Sequence, residues 1–531
     1  MRRWNGWGDE LINYPAPPGA FAFLEARLGK STSPPAVSLQ AALGMVPSSR
    51  LAGMDGVATD AETRLRHARG QSFPDWVAMG SGRLGPFPDA VACPSDHEQV
   101  VTVLGQAQRR GAVVIPYGGG TSVVGHLHAD GSDRPVLSID LSQMVRMTHI
   151  DHASRLATLG AGAPGPVVEA QLRAAGYTLG HFPQSWEYST LGGWVVTRSS
   201  GQQSLRYGRI ESLFAGGRLA TPVGDWRIPT VPASAAGPDL RQLVLGSEGH
   251  LGVLTQAVVR IAPTPAQEAF HGLFFADWTQ GEAAVRALAH AAPGLSMLRL
   301  SNPIETQTQL ALAGHARAIA VLERYLRLRG LGAGRCLLLI GVSGTRSECR
   351  RVRGQALGIA RRHGCVTVGR AVGTAWAASR FRGPYLRNTL WQAGYGVDTI
   401  ETAVDWPHAT ATMQAMESAA HNALGQFDER VHAFTHISHV YPQGCSLYSS
   451  FVFRISGDPD ADLARWRALK GSVSEAIVAQ GGTISHQHGV GVDHQPWLAA
   501  EKGEPGMRLL RQAMAALDPD GMMNPGKLVA S

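Results

Sequence analysis

From about residue 87 the hydrophobic positions fall into alternating helix and strand patterns. Ser95 and Glu98 have the spacing of a capping box, and Val100, Val103, Leu104 and Ala107 behind them share one side of a helix that ends near Gly111. The β-branched run Val113, Val114, Ile115 then enters Pro116 and three glycines, as a buried strand running into a tight loop does. Strands follow at 136–140 and 156–159, and a helix at 166–175 stops at Gly176. These elements predict a compact α+β domain over 85–265. Residues 266–480 carry longer helical stretches, at 282–291, 309–329, 350–363 and 408–424, set between strands such as 336–341, and predict a second, α/β unit. Within 462–479, Leu463, Trp466, Leu469, Val473 and Ile477 lie on one helical face suited to core packing. The alternation at 445–453 puts Leu447, Phe451 and Phe453 on one face of a strand, with Tyr448 and Ser450 on the other. Residues 226–238, rich in Pro, Gly and Ala, predict a surface loop. Residues 1–84 form a proline-broken N-terminal extension and 481–531 a C-terminal segment.

At 531 residues the chain exceeds what one core usually supports, which agrees with two units. Lysine occurs only at Lys30, Lys470, Lys502 and Lys527, so the net charge of +7 is nearly all scattered arginine. No basic stripe with interleaved aromatics stands out, which argues against a nucleic-acid partner. The five cysteines form no CxxC pair and no disulfide framework, and no apolar run is long enough to span a bilayer. The expected location is the cytoplasm; a homodimer and peripheral membrane contact both stay open.

Three glycine- and hydroxyl-rich segments carry the chemistry. In Pro116-Tyr117-Gly118-Gly119-Gly120-Thr121-Ser122, glycines let successive N–H groups turn inward into a nest for a pyrophosphate. It is neither a Walker loop nor a GxGxxG opening a helix. Gln184, Ser185, Trp186, Glu187, Tyr188, Ser189 and Thr190, then Thr197, Arg198, Ser199 and Ser200, suit hydrogen bonds to phosphate and polyol oxygens. Glu248-Gly249-His250-Leu251-Gly252-Val253-Leu254 is a glycine turn leading into a strand.

This order of motifs resembles the FAD-binding domain of the vanillyl-alcohol oxidase and p-cresol methylhydroxylase superfamily. Trp4-Asn5-Gly6-Trp7-Gly8, Gly180-His181, Gly193-Trp194, Pro384-Tyr385-Leu386-Arg387 and Ile484 through Gly491 are similar to the alkyldihydroxyacetonephosphate synthase family within it. The resemblance implies a two-part FAD-binding domain with an α/β cap, and noncovalent FAD contacts at the three segments above. It also implies exchange of the acyl group of an acyl-dihydroxyacetonephosphate for a fatty alcohol, through a bond to flavin N5 and without net redox change. By the same resemblance Tyr448 is the proton acceptor, Arg387 binds a phosphate or carboxylate of the substrate, and His486 and His488 are the outer members of a three-histidine run whose middle position is here Gln487. Against these stand a packing tyrosine, a surface ion pair for Arg387, and a metal site built from His436, His439, His486 and His488, which is disfavoured because two flavin-linked imidazoles explain the same text. His126 and His128 leave covalent flavin attachment formally possible. Leu517-Asp518-Pro519 through Asn524-Pro525-Gly526-Lys527 resembles flavin-linked D-lactate and glycolate dehydrogenases, which keeps oxidation of a 2-hydroxy acid, or flavin binding without catalysis, as alternatives.

Overall fold

The structure is a computed structural model that describes residues 1–17, 19–129 and 133–529. In the first unit the strand Val113–Tyr117 is the edge of a four-stranded sheet, parallel to Val136–Asp140, which is parallel in turn to Ala90–Ala92; the short Val57–Ala58 completes it antiparallel. The edge position accommodates Pro116, which has no N–H to give to a ladder. The far end of the chain covers that edge: Val114 N–H donates to the Met522 carbonyl at 2.7 Å, and Asn524 N–H to the Val114 carbonyl at 2.8 Å. A five-stranded antiparallel sheet, in the order Met147–Asp151, Leu156–Gly160, Val253–Arg260, Phe214–Thr221 and Gly224–Ile228, shares one core with the first through Val114, Ile139, Leu159, Trp194 and Val259.

The second unit is a seven-stranded antiparallel sheet, ordered Val366–Thr367, Gln267–Phe275, Cys336–Gly344, Met297–Ser301, Val431–Val440, Gly444–Arg454 and Tyr395–Asp405. Four helices pack on one face, and Ala316–Leu328 and Ala371–Ser379 pack on part of the other through Leu326 and Trp376. Trp278–Ala291 and Arg346–Arg362 bury Leu288, Val352 and Ala356 against Leu338 and Ile340. Ala409–Gly425 and Pro459–Ala479 bury Met416, Trp466, Leu469, Val473 and Ile477 against Ile400, Phe451 and Phe453. Each such apolar side chain contributes about 1.5–3 kcal/mol on burial, so the alternation of 445–453 fixes which face meets the helices. Tyr448 is thereby left on the opposite face.

Three local expectations shift. Asp96 rather than Ser95 caps the helix His97–Arg109, accepting from Gln99 N–H at 2.8 Å; Glu98 therefore closes no capping box with Ser95. The segment expected as a loop at 226–238 begins inside the strand Gly224–Ile228, where Trp226 pairs with Leu219. The single helix expected at 309–329 is two, Pro303–Leu312 and Ala316–Leu328, because Gly314 takes a φ of +71°, a conformation that terminates helices.

The N-terminal residues act as a strap. The Asn388 side chain donates to Trp7 O and accepts from Trp7 N–H, both at 2.9 Å, and Arg2 donates to the Gly119 carbonyl. Trp7 packs with Trp76 and Tyr385. All five cysteines are free thiols.

Candidate active site

The carboxyl end of Val113–Tyr117 opens into the 118–122 loop, which together with 185–199 and the 248–254 turn borders a cavity whose empty space, its solvent-open mouth included, is about 1040 Å³. Of the residues singled out from the sequence, Pro116, Tyr117, Gly118, Gly119, Gly120, Thr121, Ser122, Ser185, Ser189, Thr190, Thr197, Ser199, Glu248, Gly249, Gly252, Leu254 and His488 line it. Gln184, Trp186, Glu187, Tyr188, Arg198, Ser200, His250, Leu251 and Val253 do not. Trp186 stacks on Phe381 at 4.9 Å, and the Tyr188 hydroxyl lies 3.1 Å from that of Tyr385, which Glu187 also reaches. Arg198 donates to the Leu245 carbonyl at 3.1 Å, Ser200 meets the His439 ring at 3.2 Å, and Gln184 packs against Gly383. His250, Leu251 and Val253 are buried within the domain.

The cavity suits FAD. A Cβ on Gly118 would stand 2.5 Å from Thr190 Oγ1, and one on Gly119 would overlap the Tyr188 carbonyl oxygen; Gly120 has a φ of +59°. Only glycine lets the loop pack this closely while presenting its N–H groups. Eight of the side chains around it carry hydroxyls, and its carboxylate, Glu248, is already paired with His126 at 2.9 Å. Glu248 also accepts from Val490 N–H at 2.5 Å and Gly491 N–H at 2.9 Å, which ties the C-terminal loop to the first unit. His128 does not line the cavity; its ring is 2.8 Å from Asp75.

The face of the second unit's sheet opposite those four helices meets the cavity-lining His488 through Tyr448. Register places Glu401 opposite Tyr448, and Tyr448 opposite His436, in one row across three strands. Tyr448 stacks on His436 at 5.0 Å and meets the His488 ring edge-on at 5.6 Å. Burial, reinforced by Glu401, raises the Tyr448 hydroxyl above its ordinary value despite Arg387 nearby. The free site therefore holds Tyr448 protonated, the opposite of what a ready proton acceptor needs. Arg387, on the helix Gly383–Gln392 with Pro384 in its first turn, donates to the carbonyls of Gln71 at 2.6 Å and Val397 at 3.2 Å and lies over Trp76. It is not in a surface ion pair: it is buried, and Asp398 and Asp75 are the carboxylates that act on it.

His486 lies behind the cavity wall, its Nε2 2.6 Å from the Tyr441 hydroxyl. Burial keeps both flanking imidazoles neutral, His488 falling to about 3 and His486 well below its ordinary value. Gln487 donates its backbone N–H to Glu401 at 2.8 Å, and its side-chain amide lies between Glu401 and His439. The four imidazoles weighed as metal ligands are otherwise engaged: His436 is 3.1 Å from Glu305, and His439 contacts Ser200 and Ser204. No group of three or more His, Cys, Asp or Glu side chains placed to hold a metal occurs among the described residues.

Sequence reading missed Glu401, Arg209 and Tyr441. Glu401 is fully buried, and burial pushes its carboxyl up to about 8 against the pull of Arg209. Arg209 donates to the His486 carbonyl at 2.7 Å and to the Tyr441 hydroxyl at 3.2 Å. Their available signal was a charged or polar side chain on an otherwise apolar, alternating strand, or beside a glycine turn.

Comparison with known proteins agrees with this geometry. Residues 88–228 match the family described as FAD binding domain, and 264–528 the family described as FAD linked oxidases, C-terminal domain. The chain is 31% identical over 487 residues to alkyldihydroxyacetonephosphate synthase of Trypanosoma brucei brucei, covering 90% of this chain and 79% of that one. The counterpart in Dictyostelium discoideum is 31% identical over 486 residues, with the same coverage of 90% and 79%. A solved alkyldihydroxyacetonephosphate synthase structure superposes with a TM-score of 0.84 at 26% identity, covering 99% of this chain and 98% of that one. The chain thus belongs to the alkyldihydroxyacetonephosphate synthase family, and is an FAD-dependent enzyme acting on a small molecule.

Proposed function

We propose that the enzyme exchanges the acyl group of an acyl-dihydroxyacetonephosphate for a long-chain alcohol, with no net redox change. The carbon–oxygen bond to the departing carboxylate breaks, one to the alcohol oxygen forms, and the alcohol's proton is released because the fatty acid ionises. When bound, FAD supplies an isoalloxazine ring that activates the carbon beside the ketone. Its site is formed by the 116–122 loop, the hydroxyls at 185–199 and the 248–254 turn.

The observation that carries the reading is the convergence of Tyr448, His488 and Arg387, which act electrostatically on one another beside the cavity wall. Arg387 commits two N–H groups to carbonyls and keeps others of its five for a phosphate. His488, neutral and facing the cavity, accepts the proton of the alcohol, and Tyr448 keeps its own and offers it as a hydrogen bond to a substrate oxygen. His486 holds the loop through Tyr441 and Arg209. A lipid substrate also calls for contact with a bilayer. The helix Ala316–Leu328 presents Val321 and Leu328, 70% and 77% exposed, among the exposed Arg317, Arg324 and Arg327, and serves as that contact.

The test is to supply palmitoyl-dihydroxyacetonephosphate and hexadecanol without an electron acceptor. Ether product and free palmitate in equal amounts support the reading. Bleaching of the flavin by D-lactate, glycolate or D-2-hydroxyglutarate under anaerobic conditions, with no ether product, replaces it with 2-hydroxy-acid oxidation. Tyr448→Phe and His488→Gln are each expected to lower turnover by roughly 10²–10⁴-fold while the cofactor stays bound.

A further inference from the structure

We propose that Glu401 carries protons between the cofactor cavity and a second, polar cleft, through His488 on one side and His486 with Tyr441 on the other. The 485–490 loop is the wall between the two spaces. Gln487, Glu248 and Thr197 line both, His488 lines only the cofactor cavity, and His486 and Tyr441 line only the cleft, where Arg209, Glu501 and Lys502 also lie. Glu401 is fully buried behind this wall and reaches both histidines. Its Oε1 is 3.6 Å from His488 Nδ1, its Oε2 is 4.0 Å from His486 Nδ1, and His486 Nε2 is 2.6 Å from the Tyr441 hydroxyl.

Oε1 accepts the Gln487 N–H at 2.8 Å, which anchors the loop. Oε2 and the Nδ1 atoms of His486 and His488 are buried without a hydrogen-bond partner. Leaving three such atoms unsatisfied beside one another is costly, and movements of about 1 Å would join them into the hydrogen bonds that a proton path requires. The chain's departure from its family matters here as well: Gln487 cannot exchange a proton near neutrality, so the route between its neighbours runs behind it.

The inference rests on the exchange reaction above, which releases one proton per turnover. His488 takes that proton on Nε2 and gives its Nδ1 proton to Glu401 Oε1. The Oε2 proton of Glu401 passes to His486 Nδ1, the Nε2 proton of His486 to the Tyr441 oxygen, and the original Tyr441 proton to the cleft. One proton enters, one leaves, and no electrons are exchanged. The charged and titratable groups facing Glu401 are Arg209 from the first unit, Tyr448 on the paired strand, His439 and Tyr441 at the end of the next, and His486 and His488 on the loop. Among them Glu401 is poised near 8 and is protonated at neutral pH, ready to donate from Oε2.

The test compares FAD-loaded wild type, Glu401→Gln and Tyr441→Phe with palmitoyl-dihydroxyacetonephosphate and hexadecanol. Glutamine keeps an acceptor for Gln487 N–H, and retained flavin absorbance verifies the fold. Each variant is expected to lose roughly tenfold or more in turnover, and Glu401→Gln to lose the pH limb near 8. Independently of turnover, histidine NMR of the wild type should show His486 and His488 shifting together as pH crosses 8, and Glu401→Gln should abolish that joint step. Wild-type rates with an unchanged pH limb in both variants, or uncoupled histidines in the wild type, would overturn the path. Absence of ether product from the wild type would instead overturn the synthase reading, and the NMR arm would still judge the path.

Discussion

Replacing Glu248 with alanine tests how the C-terminal loop is locked to the first unit. Its carboxylate holds His126 at 2.9 Å and two loop N–H groups, those of Val490 and Gly491, at 2.5 and 2.9 Å, with the whole group buried. Breaking a buried ion pair by removing one partner costs about 3–5 kcal/mol. Each N–H left unpaired would add about 1–3 kcal/mol if it stayed dry. Because the loop can relax toward the polar cleft, these terms overlap, and a net loss of about 3–5 kcal/mol is expected for Glu248→Ala. Urea unfolding followed by tryptophan fluorescence, alongside flavin release, measures it and shows whether the units unfold together. The pH dependence gives a second check. Burial pushes the Glu248 carboxyl up, but His126 and the loop N–H groups outweigh it and hold it below its ordinary value. A depressed carboxyl contributes stability that is present above its unfolded value and lost as pH falls through the folded one. Wild type should therefore lose more stability on acidification than Glu248→Gln. A Glu248→Ala protein within about 1 kcal/mol of wild type, an effect typical of a surface change, would refute the reasoning.

Other outcomes follow from the same geometry. Gly119→Ala should abolish retention of the yellow cofactor in a folded protein, because the added Cβ overlaps the Tyr188 carbonyl; absorbance after gel filtration reads this. Acid precipitation should leave the flavin in the supernatant, since the His128 ring is engaged by Asp75 and that of His126 by Glu248 and Ser122. Val321→Asp with Leu328→Asp should reduce co-sedimentation with anionic vesicles while leaving turnover of detergent-dispersed substrate unchanged, as both side chains are largely exposed. Glu305→Gln should lower stability at neutral pH: burial opposes the charge, yet His436 and Arg299 hold this carboxyl down to about 2, so its contribution is lost progressively as pH falls from the unfolded value of 4.5 through about 2.

Much of this was legible in the sequence because local rules governed it. The glycine run at 118–120 had to be a close-packed loop, and the 445–453 alternation had to turn Tyr448 away from the helices. Glu401 escaped because alternation assigns a face and not a neighbour; only the register of Tyr395–Asp405 on Gly444–Arg454 brings it opposite Tyr448. Burial then moves the Tyr448 hydroxyl further from the anion that a proton acceptor needs, an effect of desolvation that no spacing encodes. The helix break at Gly314 and the cap at Asp96 were local but ambiguous, decided by one glycine in a left-handed conformation and by a choice between neighbouring acceptors.

The strap formed by the first residues sets an order of birth for the enzyme. Trp7 waits for Asn388, 381 positions later, and Val114 for Met522 and Asn524 later still. A nascent chain can therefore shape the glycine loop early, yet it cannot seat the Arg387 helix or seal the sheet edge until synthesis is almost finished. Such distant pairings close slowly, and a ligand that binds only the finished form draws the last steps to completion. FAD is thus expected to act as a late rivet as well as a reagent, and cells short of riboflavin should accumulate the chain in a form that proteases readily cut.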